Sequence, residues 1–211
     1  GFIEAGAITR LVAQMHPGLE APPDPAESLA SAVASRLERG VVAMVHATSF
    51  VDDQQVMRRI GAALQARGIE AVLSSPAHLA RNAAGCRLLH RDATVGAVVR
   101  FFPAEWMATL PGATRRCWSG LDALLPQANP LTALLLQSKR LPLAAQSLGL
   151  RTPVWDALLP RTASLGWRRL APRLVPEGWV LKPTWGRVGE GVCIPGATPA
   201  AERRRAERAA R

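Results

Sequence analysis

Between positions 41 and 73 the chain reads strand, loop, helix, glycine, strand, an order that few folds accommodate. VVAMVHA (41–47) is a continuous apolar, β-branched run, the mark of a strand covered on both faces. TSFVDD (48–53) turns the chain into a helical pattern over 54–67 that Gly68 closes, and IEAVL (69–73) is a second strand. Two strands joined through a helix lie parallel in one sheet. A third strand over 95–102 ends at Pro103, a helix follows around 104–106, and 87–90 reads as a short strand before Asp92. The expected fold is α/β with a parallel, Rossmann-like βαβ lobe over 40–117.

The flanks are different. Ile3, Ala7, Leu11 and Met15 recur at helical spacing up to HPG (16–18), prolines interrupt 21–25, and a second helical pattern over 26–39 stops at Gly40. Residues 1–39 are therefore read as N-terminal helices. A second region covers 118–198. It holds a short helix at 121–125 and a longer one over 131–148 with Pro142 as a break, ended by Gly149 and Pro153. Connecting turns or helices follow at 154–159 and 161–170, then strands at 179–182 and 192–194 around GRVGEG (186–191). Residues 199–211 are an Arg/Ala-rich tail, expected as a solvated helix or frayed end.

An apolar content of 48% with 20% charged residues indicates a folded globule of 211 residues. No apolar run reaches bilayer length, and the first residues lack the order of a signal peptide. Cys86, Cys117 and Cys193 are widely spaced with no Cys-x-x-Cys, which suggests a reducing, cytoplasmic setting and no zinc site. The four histidines form no metal motif. The net charge of +10 raises nucleic-acid binding as an option. However, +3 of it lies in 201–211, and the other arginines are scattered without the aromatic interleaving that stacks bases.

Of the 26 basic residues only Lys139 and Lys182 are lysines. An ammonium on a flexible stem meets a phosphate at a point, whereas a guanidinium meets it as a planar fork. Lys182 precedes Gly186, Gly189 and Gly191, which permit positive φ and let successive N–H groups point at phosphate oxygens. The P-loop and the dinucleotide fingerprint both open a helix, whereas here the continuation reads as a strand. That arrangement suits a flap over a nucleotide, and an unliganded hairpin turn is the plain alternative. Arg100 ends a parallel-sheet strand, where such folds bind ligands. Arg10, Trp118, Trp155 and Trp179 are read as pairing or packing residues.

LKPTWGRVG (181–189) resembles the Lys-Pro…Gly-Arg-Glu-Gly signature of the glutathionylspermidine synthase-like family, whose members carry a circularly permuted ATP-grasp fold. In the same order, FIEAGAI (2–8) is similar to the helix after that family's Ala-Asp-Thr-Pro-Thr motif. VRFFPAEW (99–106) is similar to its strand-to-helix segment beside the substrate, and NP (129–130) with SK (138–139) to the helix that supplies a nucleotide lysine. The resemblance extends to about Pro195. It implies a pre-ATP-grasp lobe followed by part of an ATP-grasp lobe.

The implied activity is ATP-dependent ligation of a carboxylate to an amine through an acylphosphate, with ATP and Mg²⁺ as cofactors and small-molecule acid and amine substrates. Lys139 and Lys182 would contact ATP, Gly186, Gly189 and Gly191 would cover its phosphates, and Arg187 would hold phosphate or the acylphosphate in the catalytic role. Glu4, Asp53, Arg100 and Glu105 are candidates for the second substrate. The family's metal ligands lie upstream of its Ala-Asp-Thr-Pro-Thr motif, so they are expected outside this chain, which reads as an incomplete and inactive piece. Val188 stands where the signature has an acidic residue. The alternatives are a non-catalytic scaffold derived from such an enzyme and a basic nucleic-acid binder.

Overall fold

The computed structural model describes residues 2–83, 85–164, 178–186 and 189–209. The chain divides into two compact units, Gly1–Thr132 and Ala133–Arg211.

The first unit is a mixed α/β layer structure. Its elements run α1 (Phe2–Met15), α2 (Pro25–Ala34), β1 (Val41–Val45), α3 (Val51–Gln65), β2 (Ala71–Ser74), β3 (Leu79–Asn82), β4 (Gly85–Leu88) and β5 (Ala93–Arg100). A 3₁₀ turn (Ala104–Thr109), α4 (Gly112–Trp118), a shorter 3₁₀ turn (Leu121–Ala123) and β6 (Gln127–Ala128) complete it. The sheet order is β2-β1-β5-β4-β3, with β6 pairing the outer edge of β5. β2, β1, β5 and β6 are parallel, as the βαβ reading requires. Beside the parallel βαβ strands, β3 and β4 form an antiparallel hairpin with β4 antiparallel to β5, so the sheet as a whole is mixed. A short connection cannot supply the crossover that a parallel neighbour needs.

β1 is buried along its whole length because both faces of the sheet are covered. Val41, Ala43 and Val45 join Leu88, Val98, Cys117, Trp118 and Leu121 on one face. Val42 and Met44 join Ala30, Val56, Met57, Ile60, Leu64 and Val99 on the other, under α2 and α3. The register shifts between Val41 and Val42, which pair with Val95 and Ala97, so Gly96 is an extra residue in β5. A Cβ on Gly96 would lie 1.7 Å from the Arg39 carbonyl oxygen and 2.7 Å from Leu37. Only a hydrogen fits there. This crowding also explains why α2 ends at Ala34, short of the expected 39: residues 37–40 must lie flat against β5. Gly40, at φ +83°, makes the turn into β1.

Asp24 fastens α2 to its neighbours. Its carboxylate accepts from the Ala26 backbone as the helix N-cap and pairs with Arg10 of α1 at 2.8 Å and with Arg59 of α3. Burial alone would raise its pKa, but the Ala26 N–H and the two guanidinium groups outweigh that and leave it lowered.

The second unit contains α5 (Leu134–Gln137), α6 (Leu141–Ser147), α7 (Pro153–Leu158) and α8 (Ala200–Ala209). The single helix expected over 131–148 is corrected to a 3₁₀ turn (Leu131–Ala133) followed by α5 and α6, broken at Ser138–Arg140 before Pro142 is reached. The strands expected at 179–182 and 192–194 are corrected to one antiparallel bridge, Leu181 with Cys193. Pro183 has no N–H to extend the ladder, and Gly178, Gly191 and Gly196 all have positive φ around it. The turns read over 161–170 lie outside the described residues beyond 164. No described helix is long and apolar enough to cross a membrane.

Candidate functional site

Two places gather the candidate residues, one in each unit. In the second unit the glycine-rich loop springs from the Leu181–Cys193 bridge, whose backbones exchange hydrogen bonds of 2.9 and 2.8 Å. Gly186, Gly189 and Gly191 have φ of +146°, +79° and +63°, a region that L side chains rarely enter. Gly186 and Gly191 also press on the Pro183 ring, where added Cβ atoms would lie 3.0 and 3.3 Å from its Cγ. Gly189 faces open space. The described part of the loop is folded around Pro183, and Gly189 and Glu190 are exposed.

Lys139 docks on this loop. Its backbone N–H donates to the Thr184 carbonyl at 3.1 Å, and its ammonium donates to the Gly186 carbonyl at 2.7 Å. This is why the helix breaks: the Lys139 N–H is engaged by a loop 45 residues away in sequence instead of by its own helix. The nucleotide lysine expected on a helix therefore stands in the turn between α5 and α6. Among the described residues its ammonium has this one hydrogen-bond acceptor, and an ammonium carries three donors. Lys182 lies beside Leu181 at the root of the loop, with an exposed side chain. Arg187 and Val188 lie outside the described residues.

In the first unit the carboxyl edge of the parallel sheet carries the second group. The chain leaves β1 through α3 to reach β2 on one side, then returns to β5 on the other, so the strand order reverses between β1 and β5. Parallel sheets bind ligands outside the carboxyl ends at such a reversal. Arg100, directly opposite Val45, ends β5 there. It is only 2% exposed, yet its guanidinium donates to the carbonyls of Asn129 (2.7 Å), Pro130 (3.0 Å) and Phe102. Asn129 adopts φ +58° and returns a hydrogen bond from Nδ2 to the Arg100 carbonyl at 3.1 Å. Burial pushes the Arg100 pKa down and the Glu105 carboxylate pushes it back, with burial the stronger. Arg100 thus straps 129–130 to the sheet, a buried cation held by three carbonyl dipoles.

Asp53, in the first turn of α3, and Glu105, at the start of the turn after β5, reach the same edge because their elements follow β1 and β5. Phe50 and Phe102 both meet Trp106, with ring centroids 5.9 and 5.7 Å apart, which joins the two loops. Glu4 lies instead in the first turn of α1.

His46, read from the sequence only as a loop or packed histidine, was not among the candidate site residues. It follows β1 at the same edge and is 1% exposed, and its Nδ1 lies 3.3 Å from the Met44 carbonyl. A carbonyl only accepts, so Nδ1 is the donor, and Nε2 has no hydrogen-bond partner among the described residues. Its position, ending a buried strand just before a βα loop, was the available signal. Trp118 packs as expected, its indole donating to the Pro76 carbonyl at 3.2 Å.

Compared with known proteins, the chain matches no family model and no curated protein at the significance required of a relative.

Proposed function

We propose that the second unit holds the triphosphate of ATP and that the chain is part of an ATP-dependent carboxylate–amine ligase of the glutathionylspermidine synthase-like kind. The single observation that carries this reading is the Lys139 ammonium on the Gly186 carbonyl. It brings one of only two lysines onto the loop that the other lysine precedes. The motif order in the sequence supports the same assignment.

The residues fit a phosphate chain. Gly189 has open space about it, Lys182 is exposed at the root of the loop, and the Lys139 ammonium has one acceptor among the described residues, the Gly186 carbonyl. ATP supplies the phosphoryl group that activates the carboxylate for attack by the amine. Within that chemistry Lys182 and Lys139 would neutralise phosphate charge, and the loop amides would orient its oxygens. Arg100 would position the 129–130 strap, and Asp53 and Glu105 remain the candidates for the second substrate. Among the described residues no three acidic, histidine or cysteine side chains are grouped to hold a metal ion, so no step is assigned through Mg²⁺. On this reading the first unit is the pre-ATP-grasp lobe.

The test uses the scarcity of lysine. A lysine-selective acylating reagent, read by peptide mass spectrometry, should label Lys139 and Lys182, and ATP should protect both. Equal labelling with and without ATP would remove the proposal.

A further inference from the structure

A cavity of about 470 Å³ lies beside β6 in the first unit, and no role above falls to Arg36, Asp122 or Gln127, which line it. Its volume is within the range of small-molecule sites. Arg36 follows the end of α2, and Asp122 stands in the 3₁₀ turn that precedes β6. Both are exposed, and neither side chain has an ion-pair or hydrogen-bond partner among the described residues. Gln127 is the first residue of β6. Its Oε1 is buried and has no hydrogen-bond partner among the described residues. Leu124, Pro130 and Thr132 also line the cavity. One cation, one anion and one buried acceptor thus share a wall without engaging each other.

We propose that this cavity binds a free α-amino acid as its zwitterion, with the carboxylate on Arg36 and the ammonium between Asp122 and Gln127. Opposite charges on one wall attract, yet no ion pair joins these two, so a ligand carrying both charges bridges the gap. A guanidinium meets the two oxygens of a carboxylate as a planar fork. An ammonium has three donors, and the Asp122 carboxylate, the Gln127 Oε1 and the Thr132 hydroxyl are acceptors on the same wall. The buried Oε1 is costly while it lacks a donor, and the ligand supplies one. The terminal torsion of a glutamine side chain is broad, which lets the carboxamide turn toward that ligand.

Singly charged ligands fit less well. A simple anion would satisfy Arg36 but meet Asp122 as a like charge, and a simple cation would do the reverse. Leu124, 54% exposed on the same wall, offers apolar cover to an aliphatic side chain. Because Arg36 and Asp122 are open to water, the charge contacts are screened, and a Kd of about 1 mM is expected. The inference stands apart from the ligase reading, since neither lysine nor any nucleotide takes part in it.

The experiment titrates the full chain with L-leucine, without nucleotide, and follows the backbone amide signals by NMR. Two analogues are titrated beside it: 3-methylbutylamine, which is leucine without the carboxylate, and 4-methylpentanoate, which is leucine without the ammonium. Leucine should give saturable shifts at Arg36, Asp122, Leu124 and Gln127, and each analogue should bind at least about tenfold more weakly. Arg36→Gln and Asp122→Asn should each weaken leucine by about tenfold, and Gln127→Met by about threefold. Absence of saturable shifts at these residues up to about 20 mM leucine would overturn the proposal. Equal binding of all three compounds would overturn it too, as would parent affinity in the two charge variants. Arg36 and Asp122 are exposed and have no partner to lose among the described residues, so those variants keep the fold even where Gln127→Met does not.

Discussion

The two units of this chain divide between them what a protein must have. Among the described residues the unit Gly1–Thr132 holds nearly all the buried apolar side chains, and its central strand is covered on both faces. In the unit Ala133–Arg211 only Ala145 and Cys193 are buried among the described residues, while Leu135, Leu136, Leu148, Val154 and Leu158 are exposed. Yet the thin unit carries both lysines and the glycine-rich loop. Hydrophobic burial dominates stability, so the first unit is where packing changes should hurt. The second is organised by a few polar contacts, above all those of Lys139.

The sharpest way to break this comparison is a matched pair of glycine substitutions. Gly96→Ala drives a methyl into the Arg39 backbone and should destabilise the chain by about 5 kcal/mol in denaturant unfolding, if it folds at all. Gly149→Ala meets nothing within 4 Å and bears only the strain of φ +65°, about 1 kcal/mol. Similar costs at both positions would erase the contrast between the units.

Arg100→Met comes next. It removes three hydrogen bonds to carbonyls and should cost about 3 kcal/mol by the same measurement. Faster amide exchange across 127–129 should accompany it, because the strap is held by that guanidinium. An unchanged exchange pattern would show that β6 alone holds the strap.

Asp24→Asn should cost about 2 kcal/mol, since it keeps the cap acceptor but removes the charge facing Arg10 and Arg59. The sign of the pH effect follows from the lowered pKa. The native state favours the carboxylate, so this stabilisation is fully present above the unfolded aspartate value near 3.8 and is lost as pH falls through the lower folded value. The variant should therefore lose less stability than the parent between about pH 4 and pH 2.

The parallel core was legible because continuous β-branched runs at 41–47 and 95–102 have few other uses, and Gly40 and Gly68 punctuate them. The β3–β4 hairpin was not legible beyond a hint at 87–90. LARN (79–82) has one buried residue in four and no alternation, so its pairing is set by contacts rather than pattern. α4 was missed because GATRRCW (112–118) is short and lacks an apolar stripe, though Cys117 and Trp118 anchor it. The break at Lys139 is a tertiary effect: local propensity favours one helix, and a distant loop takes the donor. Arg100 was legible as a strand-end residue, but its carbonyl partners were not, since backbone acceptors leave no trace in side-chain identity.

The central claim is that Lys139 and Lys182 act on one phosphate chain, and a double-mutant cycle on ATP affinity tests it most directly. Equilibrium binding to the parent chain, Lys139→Ala, Lys182→Ala and the double variant supplies the four numbers. The account predicts that each single change weakens ATP by about tenfold or more and that the two are coupled by more than about 0.5 kcal/mol. ATP affinity that is indifferent to either lysine, or losses that simply add, would contradict it.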